Sequence, residues 1–217
     1  MADGRLIIGN RRYSSWSMRG WLAVRLAGLD VEEVLIPFTR PGPTAAIARL
    51  TPSGLVPYLE HRGARVWDSL AICEYCAEVA PSLWPADRAA RAEARSVAAE
   101  MHAGFRGLRQ AMWMNLGRDF SGLGRTPGAL ADIVRIEALW SDTRRRFGDG
   151  GPYLFGAAFT AADAMFAPVV NRFHIYDIPV QPSTREYMDA VMALPAWKAW
   201  ITDGEAETWR MEKYESV

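Results

Sequence analysis

The chain has 217 residues, 50% of them hydrophobic, with 25 Lys plus Arg against 25 Asp plus Glu and a formal net charge of zero. A body of this size removes roughly 70% of its extended surface from water and needs neither a metal nor a disulfide to fold, and the charge balance gives no electrostatic reason for a nucleic acid or an anionic membrane as partner. Two cysteines are too few for a secreted disulfide scaffold, and the opening MADGRLIIGN carries too short an apolar run for a signal-peptide core, so the expectation is a soluble cytoplasmic protein.

Up to residue 81 the chain alternates between two kinds of pattern. Short apolar or alternating runs at 5–9, 31–38, 56–61 and 64–67, bounded by Gly, Pro or charge, read as four strands. Helical stretches fall between them at 17–29, 44–50 and 69–80, the last two stopping before Pro52 and Pro81. The expected order is β-α-β-α-β-β-α, with the turn HRG at 61–63 joining the last two strands. The proline-bearing stretch 82–87 reads as a linker between a first domain, 1–81, and an all-helical second domain, 88–217.

In that second part Val97, Met101, Phe105, Leu108 and Met112 recur at helical spacing, which predicts one long helix between Arg88 and Met114. Thr126 and Pro127 supply the cap and first turn of another, running to Gly148 with Arg144, Arg145 and Arg146 near its C-terminal end. Thr160 and Asp163 form a capping box whose helix runs to about His174 with a bend at Pro168, and STRE at 183–186 repeats the device before Tyr187.

Four motifs stand in fixed order along this frame: the serine loop SSWSMR (14–19), TPSGLVP (51–57), Asp68-Ser69, and FTAAD (159–163). Together with the element order they give a chain that resembles the glutathione transferase family over nearly its whole length. The resemblance implies an α+β thioredoxin-like domain followed by an all-α domain, a homodimer, and reduced glutathione as co-substrate. The serine loop is similar to that of the zeta class, the maleylacetoacetate isomerases, except that Trp16 stands where that class has a cysteine, and Asp68 where it has a glutamine.

On this resemblance Ser14, with Ser15 second, is the candidate catalytic residue, and Ser17 the helix cap. A thiol titrates near ~8.5, so little of it is thiolate at neutral pH. A hydroxyl donated to the sulfur is worth roughly 1.5–3 kcal/mol and a helix N-terminus about 0.3–2 kcal/mol, enough to lower that value by about one to three units. The nucleophile then comes with the ligand and the protein stabilises it.

The resemblance also makes Pro57 a cis-proline that presents the backbone of Val56 to the peptide ligand. Asp68 and Ser69 would hold its γ-glutamyl end at a helix N-terminus, and Arg40 its glycyl carboxylate. Trp16 and Trp113 are the candidates for a wall of the electrophile cleft. Set aside are the C-x-x-C of Cys73 and Cys76, which lies inside the third helix where the redox pair of such a fold would precede the first, and His61, His102 and His174, which show no ligand spacing. The implied function is attack of activated glutathione on a hydrophobic electrophile. The alternatives are a specialised isomerase or lyase of aromatic catabolism and a non-catalytic binding protein of the same fold.

Overall fold

The computed structural model describes residues 2–38 and 44–216. Four strands, β1 (Gly4–Ile8), β2 (Glu32–Leu35), β3 (Tyr58–His61) and β4 (Ala64–Val66), form one sheet in the order β2-β1-β3-β4. β1 runs parallel to β2 and antiparallel to β3, which pairs antiparallel with β4. Side chains alternate across a strand, so Leu6, Ile8 and Leu59 share a face. They join Met18 and Leu22 of α1 (Ser15–Leu26) and Ile72 and Cys76 of α3 (Ser69–Val79) in the core. A short α2 (Ala45–Leu50) connects β2 to β3, so the expected β-α-β-α-β-β-α order holds.

β3 begins at Tyr58, two residues later than the sequence pattern suggests. Pro57 has no N–H for the ladder, and its bond to Val56 is cis. The bond between Trp67 and Asp68 is also cis.

A 3-10 turn at Pro81–Leu83 leads into the helices α4 (Arg88–Ala103), α5 (Arg106–Ala111), α6 (Pro127–Phe147), α7 (Ala161–Ile175), α8 (Pro182–Ala193) and α9 (Pro195–Ala206). The single long helix expected from Arg88 to Met114 is therefore two. All five residues of its apolar stripe are buried, but the backbone breaks at Gly104 and at Phe105, whose φ is +57°. The start of α5 is satisfied from outside, Leu108 N–H donating to the Asp132 carboxylate of α6 at 2.9 Å. The two helices touch where a Cβ on Gly107 would lie 2.4 Å from the Gly128 carbonyl carbon, so glycine is required there.

Two caps also differ from expectation. α8 begins at Pro182, so Ser183 sits inside the helix; a proline at the first helical position is the signal that operates. α1 is capped by Ser14, not Ser17. α7 runs unbroken through Pro168, and every residue of it except His174 is buried. A helix apolar on nearly all sides belongs in a core, and α7 packs against α1, α3 and α4, joining the sheet unit to the helices.

Cys73 and Cys76 are free and buried in α3. Burial raises both thiols, that of Cys76 to about 12. Neither is expected to react with a thiol-modifying disulfide reagent in the native protein, while both react after denaturation; rapid native labelling would contradict this burial.

Candidate functional site

α1 starts where β1 ends, and the turn between them is built by hydrogen bonds from the serine loop. Ser14 N–H donates to Asn10 O at 2.8 Å, and Gly9 N–H donates to Ser17 Oγ at 3.0 Å. Ser14 Oγ accepts from Ser17 N–H at 3.2 Å, and the Ser14 and Ser17 hydroxyls lie 2.8 Å apart. Ser14 and Ser15 are buried in the helical frame yet line a cavity of about 300 Å³. Val56, Arg109, Trp113, Arg172, Met211 and Tyr214 are among its other walls.

A second cavity of about 570 Å³ adjoins it, lined by Pro57, Asp68 and His102 among others. Trp16, Leu55 and Val56 border both spaces. Trp16 is held by two cations, with the guanidinium carbons of Arg19 and Arg109 at 4.6 and 4.9 Å from its ring centre, and by the edge of His102 at 5.4 Å. Such stacking is worth more once desolvated, so Trp16 is fixed in place as the partition between the cavities.

Of the expected site residues, Ser14, Ser15, Trp16, Val56 and Trp113 come together on the first cavity, and Trp16, Val56, Pro57 and Asp68 on the second. Asp68 is the N-cap of α3, accepting from Leu70 N–H at 3.1 Å, and its other oxygen lies 3.0 Å from His102 Nε2 on α4. Ser69 is fully buried beside it, and its hydroxyl has no hydrogen-bond partner among the described residues. Ser69 lines neither cavity, so of this pair only Asp68 borders the second one. Arg40 lies outside the described residues.

Sequence reasoning missed the arginines. Arg109 on α5 and Arg172 on α7 line the first cavity, Arg19 on α1 stacks on the Trp16 ring beside it, and none of the three forms an ion pair with a carboxylate among the described residues. Arg19 is fully buried, donating from Nε to Met165 O at 2.8 Å and leaving Nη1 without a partner among the described residues. Arg172 donates to Met112 O at 2.8 Å and Pro168 O at 3.2 Å. Burial first, and then the neighbouring guanidiniums, depress all three, Arg172 to about 10 and Arg19 well below its usual value. Arg172 remains a cation at neutral pH, so the cavity floor is electropositive. The available signal was placement: Arg172 lies in α7, nearly all of whose side chains are buried, whereas Arg109 stands between other polar residues of α5 and gave none.

Comparison with known proteins identifies the family of the chain. Residues 13–79 match the family description "Glutathione S-transferase, N-terminal domain", and residues 89–203 match "Glutathione S-transferase, C-terminal domain". Among curated proteins, the chain is 26% identical over 214 residues to a probable maleylacetoacetate isomerase of Caenorhabditis elegans, covering 96% of this chain and 98% of the relative. It is 27% identical over 207 residues to the maleylacetoacetate isomerase of Rattus norvegicus, covering 91% and 93%. Among solved structures, a glutathione transferase homologue from Burkholderia with bound glutathione superposes with a TM-score of 0.70 at 24% identity, covering 94% of this chain and 99% of that one. A theta-class enzyme from Xanthomonas axonopodis pv. citri, also with glutathione bound, gives 0.61 at 24% identity over 93% and 98%. With both domain descriptions matched in order on a thioredoxin-like sheet unit followed by helices, the chain belongs to the glutathione S-transferase family.

Proposed function

We propose that this protein binds reduced glutathione across the two cavities, holds its sulfur at Ser14 as a thiolate, and directs it at a small carboxylate-bearing electrophile in the first cavity. The observation that carries this reading is the shared cavity: the hydroxyls at the head of α1 face the same space as Arg109 and Arg172.

The serine geometry supplies the donor. Ser17 Oγ already accepts from Gly9 N–H. Ser14 Oγ donates to Ser17 Oγ at 2.8 Å; both hydroxyls rotate, and with a sulfur beside Ser14 the bond reverses, so that Ser17 donates to Ser14 Oγ, which also accepts from Ser17 N–H, and the Ser14 proton turns to the sulfur. A chain of hydrogen bonds polarised in this sense strengthens the last donor. The N-terminus of α1 and the arginine floor add positive potential, favouring thiolate over thiol. The backbone of Val56, which makes no hydrogen bond among the described residues, and the Asp68-Ser69 corner suit the peptide and the γ-glutamyl end of the ligand.

Thiolate addition to an electron-poor double bond forms a C–S bond, breaks the π bond and leaves an enolate, which gives a conjugate when a solvent proton reaches its carbon. If rotation about the new single bond and loss of the thiolate precede that protonation, the π bond re-forms as the geometric isomer and glutathione is regenerated. The names of the curated relatives, and Arg109 and Arg172, which pair with no carboxylate among the described residues, favour the isomerase outcome for an unsaturated dicarboxylate over conjugation of a neutral aryl halide.

The test combines calorimetric binding of glutathione with turnover of a carboxylate-bearing and a neutral electrophile, in wild type and Arg172→Met. The variant is expected to lose roughly 10–100-fold in kcat/KM for the charged substrate, the value of a charge-assisted contact of about 1.5–3 kcal/mol. Its rate on the neutral substrate falls less, only by the share of thiolate stabilisation that Arg172 supplied, so the charged-to-neutral ratio drops, while glutathione affinity changes little and a melting curve confirms folding. A wild-type protein that does not bind glutathione sinks the reading.

A further inference from the structure

The chain continues past α9, and this last stretch is tied to the serine loop at both of its ends. At the near end, the Glu207 carboxylate is buried and accepts the backbone N–H of Arg11 at 2.7 Å and of Arg12 at 3.2 Å. The Arg12 guanidinium returns a bond to Glu205 O at 2.8 Å. At the far end, the Tyr13 hydroxyl donates to the Glu215 carboxylate and accepts from Met211 N–H at 3.2 Å. The same carboxylate accepts from Arg118 Nε at 2.8 Å and Asn115 Nδ2 at 3.2 Å, and Asn115 also holds Tyr214 O at 2.8 Å.

Between these ties, Met211 and Tyr214 form part of the wall of the cavity that Ser14 and Ser15 face. The Tyr214 ring sits 5.6 Å from that of Tyr13 and 5.1 Å from that of Trp113. Tyr13 precedes Ser14 directly, so its hydroxyl couples the position of the C-terminal segment to that of the serine beside it.

We propose that residues 207–215 are a strap that closes the electrophile cavity, with Tyr214 and Met211 as specificity-determining walls and the Tyr13–Glu215 contact as the latch that holds the wall against the serine loop. This rests on the glutathione reading above, which makes the first cavity the seat of the second substrate. Tyr13 and Glu215 are positioning residues: they act through the strap and the loop. The depth of the cavity, and so the size of group that fits on the glutathione sulfur, is set by the latched strap.

The latch has supporting electrostatics. Burial works to raise the Glu215 carboxyl, but the bonds from Tyr13, Arg118 and Asn115 outweigh it and hold the group below its usual range. Burial and the adjacent carboxylate push the Tyr13 hydroxyl up to about 12, so it remains a donor throughout the physiological range.

Two measurements on the full chain test the strap. Amide hydrogen exchange needs no ligand: in wild type the segment 211–216 is expected to be protected, and in Tyr13→Phe and Glu215→Ala its exchange accelerates at least about tenfold while α7 is unaffected. Binding of S-methylglutathione and S-benzylglutathione measures the wall. In Tyr214→Ala the affinity ratio shifts at least about fivefold toward the benzyl ligand, because removing an aromatic wall opens room beside the sulfur, while affinity for glutathione itself changes less than about twofold. Exchange in 211–216 that is equally fast in wild type and both latch variants overturns the latch. An unchanged benzyl-to-methyl ratio with normal glutathione binding overturns the wall and leaves the glutathione reading standing. Failure of wild type to bind glutathione or either S-substituted form overturns the glutathione reading, and with it the role of the strap as a substrate wall.

Discussion

Ser14→Ala is expected to raise the apparent pKa of the bound glutathione thiol by about one to two units and to lower kcat/KM at neutral pH by roughly 10–100-fold, the loss of one charge-assisted hydrogen bond to sulfur. Because Ser14 is also the N-cap of α1, accepting from Ser17 N–H at 3.2 Å, the same change should cost about 0.5–2 kcal/mol of stability. Ser15→Ala serves as the contrast. Ser15 lines the cavity but caps nothing, so its effect on stability is small. Ser17→Ala leaves the sulfur donor in place but removes the acceptor of Gly9 N–H and the partner that orients Ser14; its thiol shift falls between those of the wild type and Ser14→Ala. Ultraviolet titration of the thiolate across the four proteins checks the order. A Ser15→Ala shift larger than that of Ser14→Ala would transfer the donor role to Ser15.

The second large effect belongs to Asp163, fully buried at the head of α7. Its carboxylate accepts from Thr160 N–H at 2.8 Å, from Thr160 Oγ1 at 2.7 Å and from Leu154 N–H at 3.1 Å. Asp163→Ala leaves all three donors without a partner in a region closed to water, each worth about 1–3 kcal/mol when stranded. With allowance for relaxation, the expected loss is about 3–5 kcal/mol, a large part of the ~5–15 kcal/mol by which a domain is stable. Thermal or urea unfolding measures it. Asp163→Asn keeps one acceptor oxygen and should lose roughly half as much, since the two Thr160 bonds go to a single oxygen. A loss below about 1 kcal/mol for the alanine variant would mean the capping box does not hold α7 against the sheet unit.

The serine loop was legible because its chemistry is local. Hydroxyls at the junction of a strand and a helix have few other uses than capping or donating, and the structure puts Ser14 at that junction. The reading misplaced the cap by three residues, since Ser14, Ser15 and Ser17 all satisfy the same composition rule and only the backbone distinguishes them. The break at Gly104 and Phe105 was hidden for a different reason. Periodicity records which side chains face the core, and the stripe from Val97 to Met112 continues across the break without a change of phase.

The arginine floor and the strap were not legible because each is assembled from distant parts of the chain. Arg109 and Arg172 lie far apart in the sequence, and only the packing of the helices brings them to one cavity, with Arg19 stacked on the Trp16 ring beside it. Tyr13 and Glu215 are separated by almost the whole sequence, a pairing no local rule detects. Arg40 falls outside the described residues, and its role stays a proposal.

A crystal structure with reduced glutathione bound is the most direct test of the thiolate site. The expected result is a sulfur within about 3.5 Å of Ser14 Oγ, with the peptide along Val56 and the γ-glutamyl end at Asp68 and Ser69. A sulfur out of hydrogen-bond reach of both Ser14 and Ser15, resting instead against Trp16 or inside the second cavity, would contradict the proposal that a serine hydroxyl at the head of α1 activates the thiol.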